Sequence, residues 1–147
     1  LSTACRIGGL TGGLERDTVD QLTDFGHSYG MAFQIVDDIL DVIATEDQLG
    51  KPTGNDLIEG VYTLPVLLAL ESDLGSQLHD LLGKELDTKS RDRALGLIRS
   101  TDAVEKAFDR AQYWALKAKA SLESLPPSPA TNAIFAATNH LLEQAHN

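Results

Sequence analysis

The chain is short of cysteine: Cys5 is the only one in 147 residues, so no internal disulfide can form. With no catalytic partner near it in sequence, Cys5 reads as a small core residue. Positive charge is also scarce, with 12 Lys and Arg against 22 Asp and Glu and a formal net charge of −10. That balance argues against nucleic acid or an anionic membrane surface as the main partner, since both attract basic patches. It does not exclude a small anionic ligand, because a bridging divalent cation reverses the local sign. No apolar run reaches the roughly 18 residues of a spanning helix, and no leader pattern is present, so a cytoplasmic location is the default. Strand-like alternation and internal repeats are missing. His79, His140 and His146 have no partners at zinc spacing, and no EF-hand loop occurs.

Helical periodicity fills the chain instead. A helix over Leu1 to about Gly12 stops at Gly12-Gly13. A long second helix, capped by Asp17 or Thr18, runs to about Thr45. A Gly- and Pro-bearing loop covers 46–61. Thr63-Leu64-Pro65 starts a short apolar helix, with Pro65 in the first turn where its missing N–H does no harm. Gly75 and Gly83 bracket another, Thr88 to about Arg99 and Asp102 to about Leu125 form two more, and the last runs from about Ala130 to Gln144 after the break at Pro126-Pro127-Ser128-Pro129. The expected fold is all-α, an antiparallel helical bundle, with 1–147 a single helical domain. Arg91, Arg93, Arg99, Lys106 and Arg110, spread among acids, read as a solvated, salt-bridged surface, and Tyr113 and Trp114 as packing residues.

One stretch breaks the pattern. Phe33-Gln34-Ile35-Val36-Asp37-Asp38-Ile39-Leu40-Asp41 sets three carboxylates in an apolar run. On a helix, His27, Gly30, Gln34, Asp37, Asp38, Asp41 and Thr45 share one narrow stripe, and apolar residues cover the rest. A surface helix shows the reverse, so this one is expected to be enclosed, with its polar stripe facing a cavity. Asp37 and Asp41, at i and i+4, repel each other unless something intervenes. A divalent cation removes that repulsion, and carboxylate oxygens suit Mg²⁺, which completes its shell with water and substrate phosphates. The plainer alternative is an acidic, solvated helix face. His27 is either a ligand contact or a hydrogen-bonded structural histidine. The loop beginning Gly50-Lys51-Pro52 adds Lys51, a point charge suited to phosphate oxygens, and Asp56, a further carboxylate.

These segments resemble a known family. The stretch Phe33–Asp41 resembles the second aspartate-rich motif of the trans-isoprenyl diphosphate synthases (polyprenyl synthetases). Gly50-Lys51-Pro52 through Asp56-Leu57, Glu59-Gly60 and Thr63-Leu64-Pro65 resembles the segment that follows it, and Leu1–Gly9 is similar to the helix before it. The resemblance implies the C-terminal portion of an isoprenoid synthase fold, belonging to a transferase that condenses isopentenyl diphosphate with an allylic diphosphate through Mg²⁺-assisted ionisation. It implies Mg²⁺ at Asp37, Asp38, Asp41 and Asp56, with Asp56 behind the others, and substrate at Phe33, Gln34 and Lys51. It also implies a missing N-terminal half that carries a facing aspartate set, a homodimer for the full-length enzyme, and an inactive chain when that half is absent. Val61 stands where many members have a lysine. Two rivals remain: a non-catalytic or regulatory partner subunit, and a terpene cyclase-like protein on the same bundle.

Overall fold

The computed structural model describes residues 1–44, 53–84 and 86–144, and every regular element among them is helical. Helix α1 covers Ser2–Thr11, α2 Arg16–Ile43, α3 Asn55–Ile58, α4 Leu64–Leu70, α5 Gly75–His79, α6 Thr88–Arg99, α7 Ala103–Leu122 and α8 Pro129–Gln144. None of them is long and apolar enough to cross a membrane. The chain divides into two compact units, Leu1–Val36 with Arg110–Asn147 and Asp37–Asp109.

In the first unit α1 ends where Gly12-Gly13 indicates. The Leu14 N–H bonds Gly9 O at 3.1 Å and the Gly13 N–H bonds Leu10 O at 3.1 Å, which satisfies two carbonyls of the last turn. Helix α2 begins one residue before the expected cap, so Asp17 lies inside its first turn, where a negative charge complements the helix dipole. Phe25, Ala118 and Leu122 are buried, with Cys5, Leu22, Tyr29, Leu125, Ile134 and Phe135 packed against them. The Phe25 and Tyr29 rings stack at 5.5 Å. The half-buried Cys5 is thus a packing residue.

The second unit is organised around α4, α5 and α6. Val42, Leu57, Val66, Ala69, Leu78, Leu95 and Ile98 are among its buried side chains. Full burial of a side chain such as Ile98 is worth about 1.5–3 kcal/mol, which lets these short helices persist. Thr63 is the N-cap of α4, with Pro65 in the first turn, but its side chain makes no cap hydrogen bond. Asp87 does cap α6, accepting the Ser90 N–H at 2.8 Å. Helix α5 stops at His79, short of the expected Gly83, because Leu81 and Leu82 continue only as turns onto Leu78 O. Inside the stretch expected to be loop, Asn55–Ile58 winds one helical turn. Lys106 pairs with Asp102 on the solvated surface, as expected, but Arg91 is buried beside Asp92 and Arg99 reaches back to α2.

A candidate acidic site at the end of helix α2

The last two turns of α2 carry Asp37, Asp38 and Asp41 among Val36, Ile39 and Val42, which are 0–2% exposed. The three aspartates do not share one environment. Asp37 is exposed, whereas Asp38 is 7% and Asp41 8% exposed. Phe33 and Gln34 lie one turn earlier on α2, in its portion assigned to the first unit, and both are exposed. The expected enclosure is therefore only partial: Ile35, Val36, Ile39 and Val42 are buried but Met31 and Phe33 are exposed, and the polar stripe grades from open to covered. His27, also exposed, meets the Trp114 ring edge-on at 5.6 Å. Lys117 Nζ lies 5.0 Å from the Trp114 centroid and the exposed Tyr113 abuts the same ring, so these aromatics form a half-exposed cluster and not interior packing.

Asp41 is held by backbone. Its Oδ1 accepts the Asn55 N–H and its Oδ2 the Asp56 N–H, each at 3.3 Å, and its main-chain carbonyl accepts the Gly54 N–H at 2.9 Å. Gly54 has φ 72°, and a Cβ there would come within 3.0 Å of Leu95 Cδ1 and 3.2 Å of Arg91 Cγ. Only glycine meets both demands without strain. This seating carries Asp56 toward the α2 aspartates. Burial raises the Asp56 carboxyl above its ordinary value, and repulsion from Asp41, Asp38, Asp37 and Glu59 adds to the rise. The sequence places Asp37, Asp38, Asp41 and Asp56 in one candidate set, and the second unit brings the first three near enough to Asp56 to add to its rise. Lys51, with Gly50 and Pro52, lies outside the described residues. Val61 is half-exposed, and its N–H closes the turn after α3 onto Asp56 O at 2.7 Å.

Sequence reasoning does not reach two contributors. Arg99 donates from Nε to Val42 O at 2.7 Å across 57 residues of chain. The capping of α3 by Asp41 spans 14 to 15 residues. Neither has a local signature, since each partner lies beyond any helical or turn spacing.

Among the described residues no three His, Cys, Asp or Glu side chains converge tightly enough to enclose a metal ion. What they provide is an open carboxylate, Asp37, on the same helix end as the covered Asp38 and Asp41. That suits a cation such as Mg²⁺, which takes one or two protein carboxylates and draws its remaining ligands from water and phosphate.

The comparisons with known proteins show the family. The polyprenyl synthetase family model matches residues 1–98. The heptaprenyl diphosphate synthase component 2 of Geobacillus stearothermophilus is 39% identical over 130 residues, which are 88% of this chain and 41% of that protein. The nonaprenyl diphosphate synthase of Mycobacterium tuberculosis is 34% identical over 147 residues, 98% of this chain and 44% of that one. A crystal structure of geranylgeranyl pyrophosphate synthase from Corynebacterium glutamicum, complexed with calcium and isoprenyl diphosphate, superposes with a TM-score of 0.88 at 33% identity, covering 98% of this chain and 46% of that one. The chain spans less than half the length of these relatives. With two thirds of its residues matched by the family model, and with an all-helical fold shared with the solved synthases, the chain belongs to the polyprenyl synthetase family.

Proposed function

We propose that this chain supplies one acidic side of the site at which a prenyl diphosphate synthase joins isopentenyl diphosphate to an allylic diphosphate. The allylic C–O bond breaks with its electron pair leaving on diphosphate. The resulting carbocation bonds the terminal alkene carbon of isopentenyl diphosphate, and a proton is then lost. A bound Mg²⁺ would neutralise the departing diphosphate. The observation that carries the reading is the seating of Asn55 and Asp56 on the Asp41 carboxylate, which brings Asp56 toward the aspartates of α2; burial first, and then repulsion from Asp41, Asp38 and Asp37, raises its carboxyl. Asp37, the exposed member, would hold the ion. Asp38 and Asp56 would add negative charge near it, and Asp41 holds the backbone of Asn55 and Asp56. By the resemblance, Lys51 binds the diphosphate, and Phe33 and Gln34 lie on the substrate side. The relative whose structure holds calcium and isoprenyl diphosphate supports a divalent cation, for which Mg²⁺ is our choice.

The test uses a full-length protein containing this chain. Incorporation of radiolabelled isopentenyl diphosphate with geranyl or farnesyl diphosphate should fall on the order of 10³-fold or more in Asp37→Ala, several kcal/mol of transition-state stabilisation. Turnover within threefold of the unchanged protein would overturn the assignment.

A second reading is favoured by the names of two relatives, a component 2 of heptaprenyl diphosphate synthase and a subunit 1 of decaprenyl-diphosphate synthase. Those names point to a further chain, and by that reading this one would require a partner subunit for turnover, in place of the homodimer that the family resemblance suggests. Activity of the full-length protein purified alone decides between the two.

A further inference from the structure

We propose that Asp41 and Arg99 are positioning residues that clamp the C-terminal end of α2 and hold α3 against it, with Asp41 serving the backbone of α3 and not a metal ion. The clamp stands on hydrogen bonds alone; its bearing on the acidic site rests on the function proposed above.

An α-helix leaves its last four carbonyls without intrahelical donors. At the end of α2, Leu40 O takes the Ala44 N–H at 3.0 Å, while the next two carbonyls are satisfied from distant chain. Asp41 O takes the Gly54 N–H and Val42 O takes Arg99 Nε–H. A guanidinium there also meets the negative end of the helix dipole. The end of α2 is thus fixed from two sides, by the start of α3 and by the last turn of α6.

Helix α3 has the complementary need. Its N-cap is Gly54, which has no side chain to accept the first free amides. The Asp41 carboxylate accepts them from another helix, one oxygen to Asn55 and the other to Asp56. Each of its oxygens accepts one backbone N–H and the residue is 8% exposed, whereas Asp37, one turn earlier, is open. A covered carboxylate already shared between two backbone donors is poorly placed to give up an oxygen to a cation. It is well placed to set where Asp56 stands relative to Asp37 and Asp38.

The roles separate in the absence of metal. In EDTA, amide hydrogen exchange is followed in the 147-residue chain and in Asp41→Asn, Arg99→Met and Arg99→Lys. Asp41→Asn should speed exchange at Asn55 and Asp56 by at least about tenfold, since an amide oxygen replaces only one of the two acceptors. Unchanged protection at both amides would overturn the clamp and return Asp41 to the ion. Arg99→Met should loosen Gly54, Asn55 and Asp56 while the amides of α7 keep their protection, and Arg99→Lys, which keeps a donor, should restore part of it. An even loss across the whole second unit would make Arg99 merely structural and overturn its positioning role.

Binding of Mg²⁺ with inorganic diphosphate, measured by calorimetry on folded Arg99→Met, should weaken about tenfold although Arg99 itself reaches only the Val42 carbonyl. Affinity equal to that of the unchanged chain would count against positioning. If the unchanged chain binds neither, the proposed site falls and the exchange pattern alone decides the clamp. Should the variants fail to fold, the unchanged chain still decides. A slowly exchanging Arg99 Nε–H with a through-bond coupling to the Val42 carbonyl supports the clamp, and a solvent-rate Nε–H refutes it.

Discussion

Gly54→Ala should destabilise the second unit by more than its backbone conformation alone demands. An alanine at φ 72° carries the cost of the left-handed region, about 1–2 kcal/mol, offset by about 0.4–1 kcal/mol from the stiffer unfolded chain. The new Cβ also meets Leu95 Cδ1 at 3.0 Å and Arg91 Cγ and Cδ at 3.2 and 3.3 Å. Leu95 is 2% exposed and Arg91 9%, so neither side chain can swing into water, and overpacking of this kind costs about 1–3 kcal/mol. The expected total is about 2–3 kcal/mol, a large share of the 5–15 kcal/mol typical of a domain. Gly60→Ala is the control. Gly60 has φ 75° but open space around its Cβ position, so it reports the backbone part alone, below about 1.5 kcal/mol. Urea unfolding followed by circular dichroism should place the Gly54→Ala midpoint about 1 M below that of the unchanged chain, at unchanged slope, and the Gly60→Ala midpoint less than half as far. Equal shifts for the two variants would refute the close approach of α6 to Gly54 and, with it, the seating of α3 on Asp41.

Most of the helical architecture is legible because its signals are local. Thr88–Arg99 is delimited in the sequence by a polar start and a basic last turn, and the structure places it over the same residues. Pro126-Pro127-Ser128-Pro129 and Gly12-Gly13 interrupt the chain wherever they stand. Helix α3 is not legible, since its cap is supplied by Asp41 and a stretch beginning Gly54-Asn55-Asp56 reads as loop without it. The early end of α5 is missed for a related reason, because Leu82 and Leu86 are buried through contacts with the second unit's core and not through continued helix. At the site, helical spacing sets Asp37, Asp38 and Asp41 on one stripe, and the structure leaves Asp37 exposed while it covers Asp38 and Asp41. Their inequality is invisible in sequence. It depends on which carboxylate the chain near residue 54 closes over, and that is decided by Gly54, Leu95, Arg91 and Arg99 together.

The remaining expectations concern charge and turnover. In EDTA, Asp37→Asn should leave the melting temperature unchanged or slightly raised, since an exposed carboxylate there repels its neighbours and supports nothing by itself; a clear loss in thermal melts would make Asp37 a structural partner. Asp87 has its carboxyl pulled below the ordinary 3.8 by hydrogen bonds from Ser90, so its contribution is present above pH 3.8 and lost as pH falls through the lowered value. Asp87→Ala should therefore flatten the acid limb of stability against pH. Asp56 has the opposite sign: its raised carboxyl favours the folded state below pH 3.8, and that contribution is lost as pH rises through the raised value, so Asp56→Asn should gain stability at neutral pH relative to acid. Mg²⁺ alone should bind the chain weakly, in about the millimolar range, because one acidic set leaves most of the ion's ligands to water and phosphate; tight calorimetric binding that survives both Asp37→Ala and Asp41→Ala would place the ion elsewhere. For the same reason the 147-residue chain by itself should not incorporate radiolabelled isopentenyl diphosphate. The described residues gather carboxylates on one side only, and ionising an allylic diphosphate needs its charge neutralised from more than one side at once. Turnover by the purified chain that disappears in Asp37→Ala would show that this single acidic set suffices.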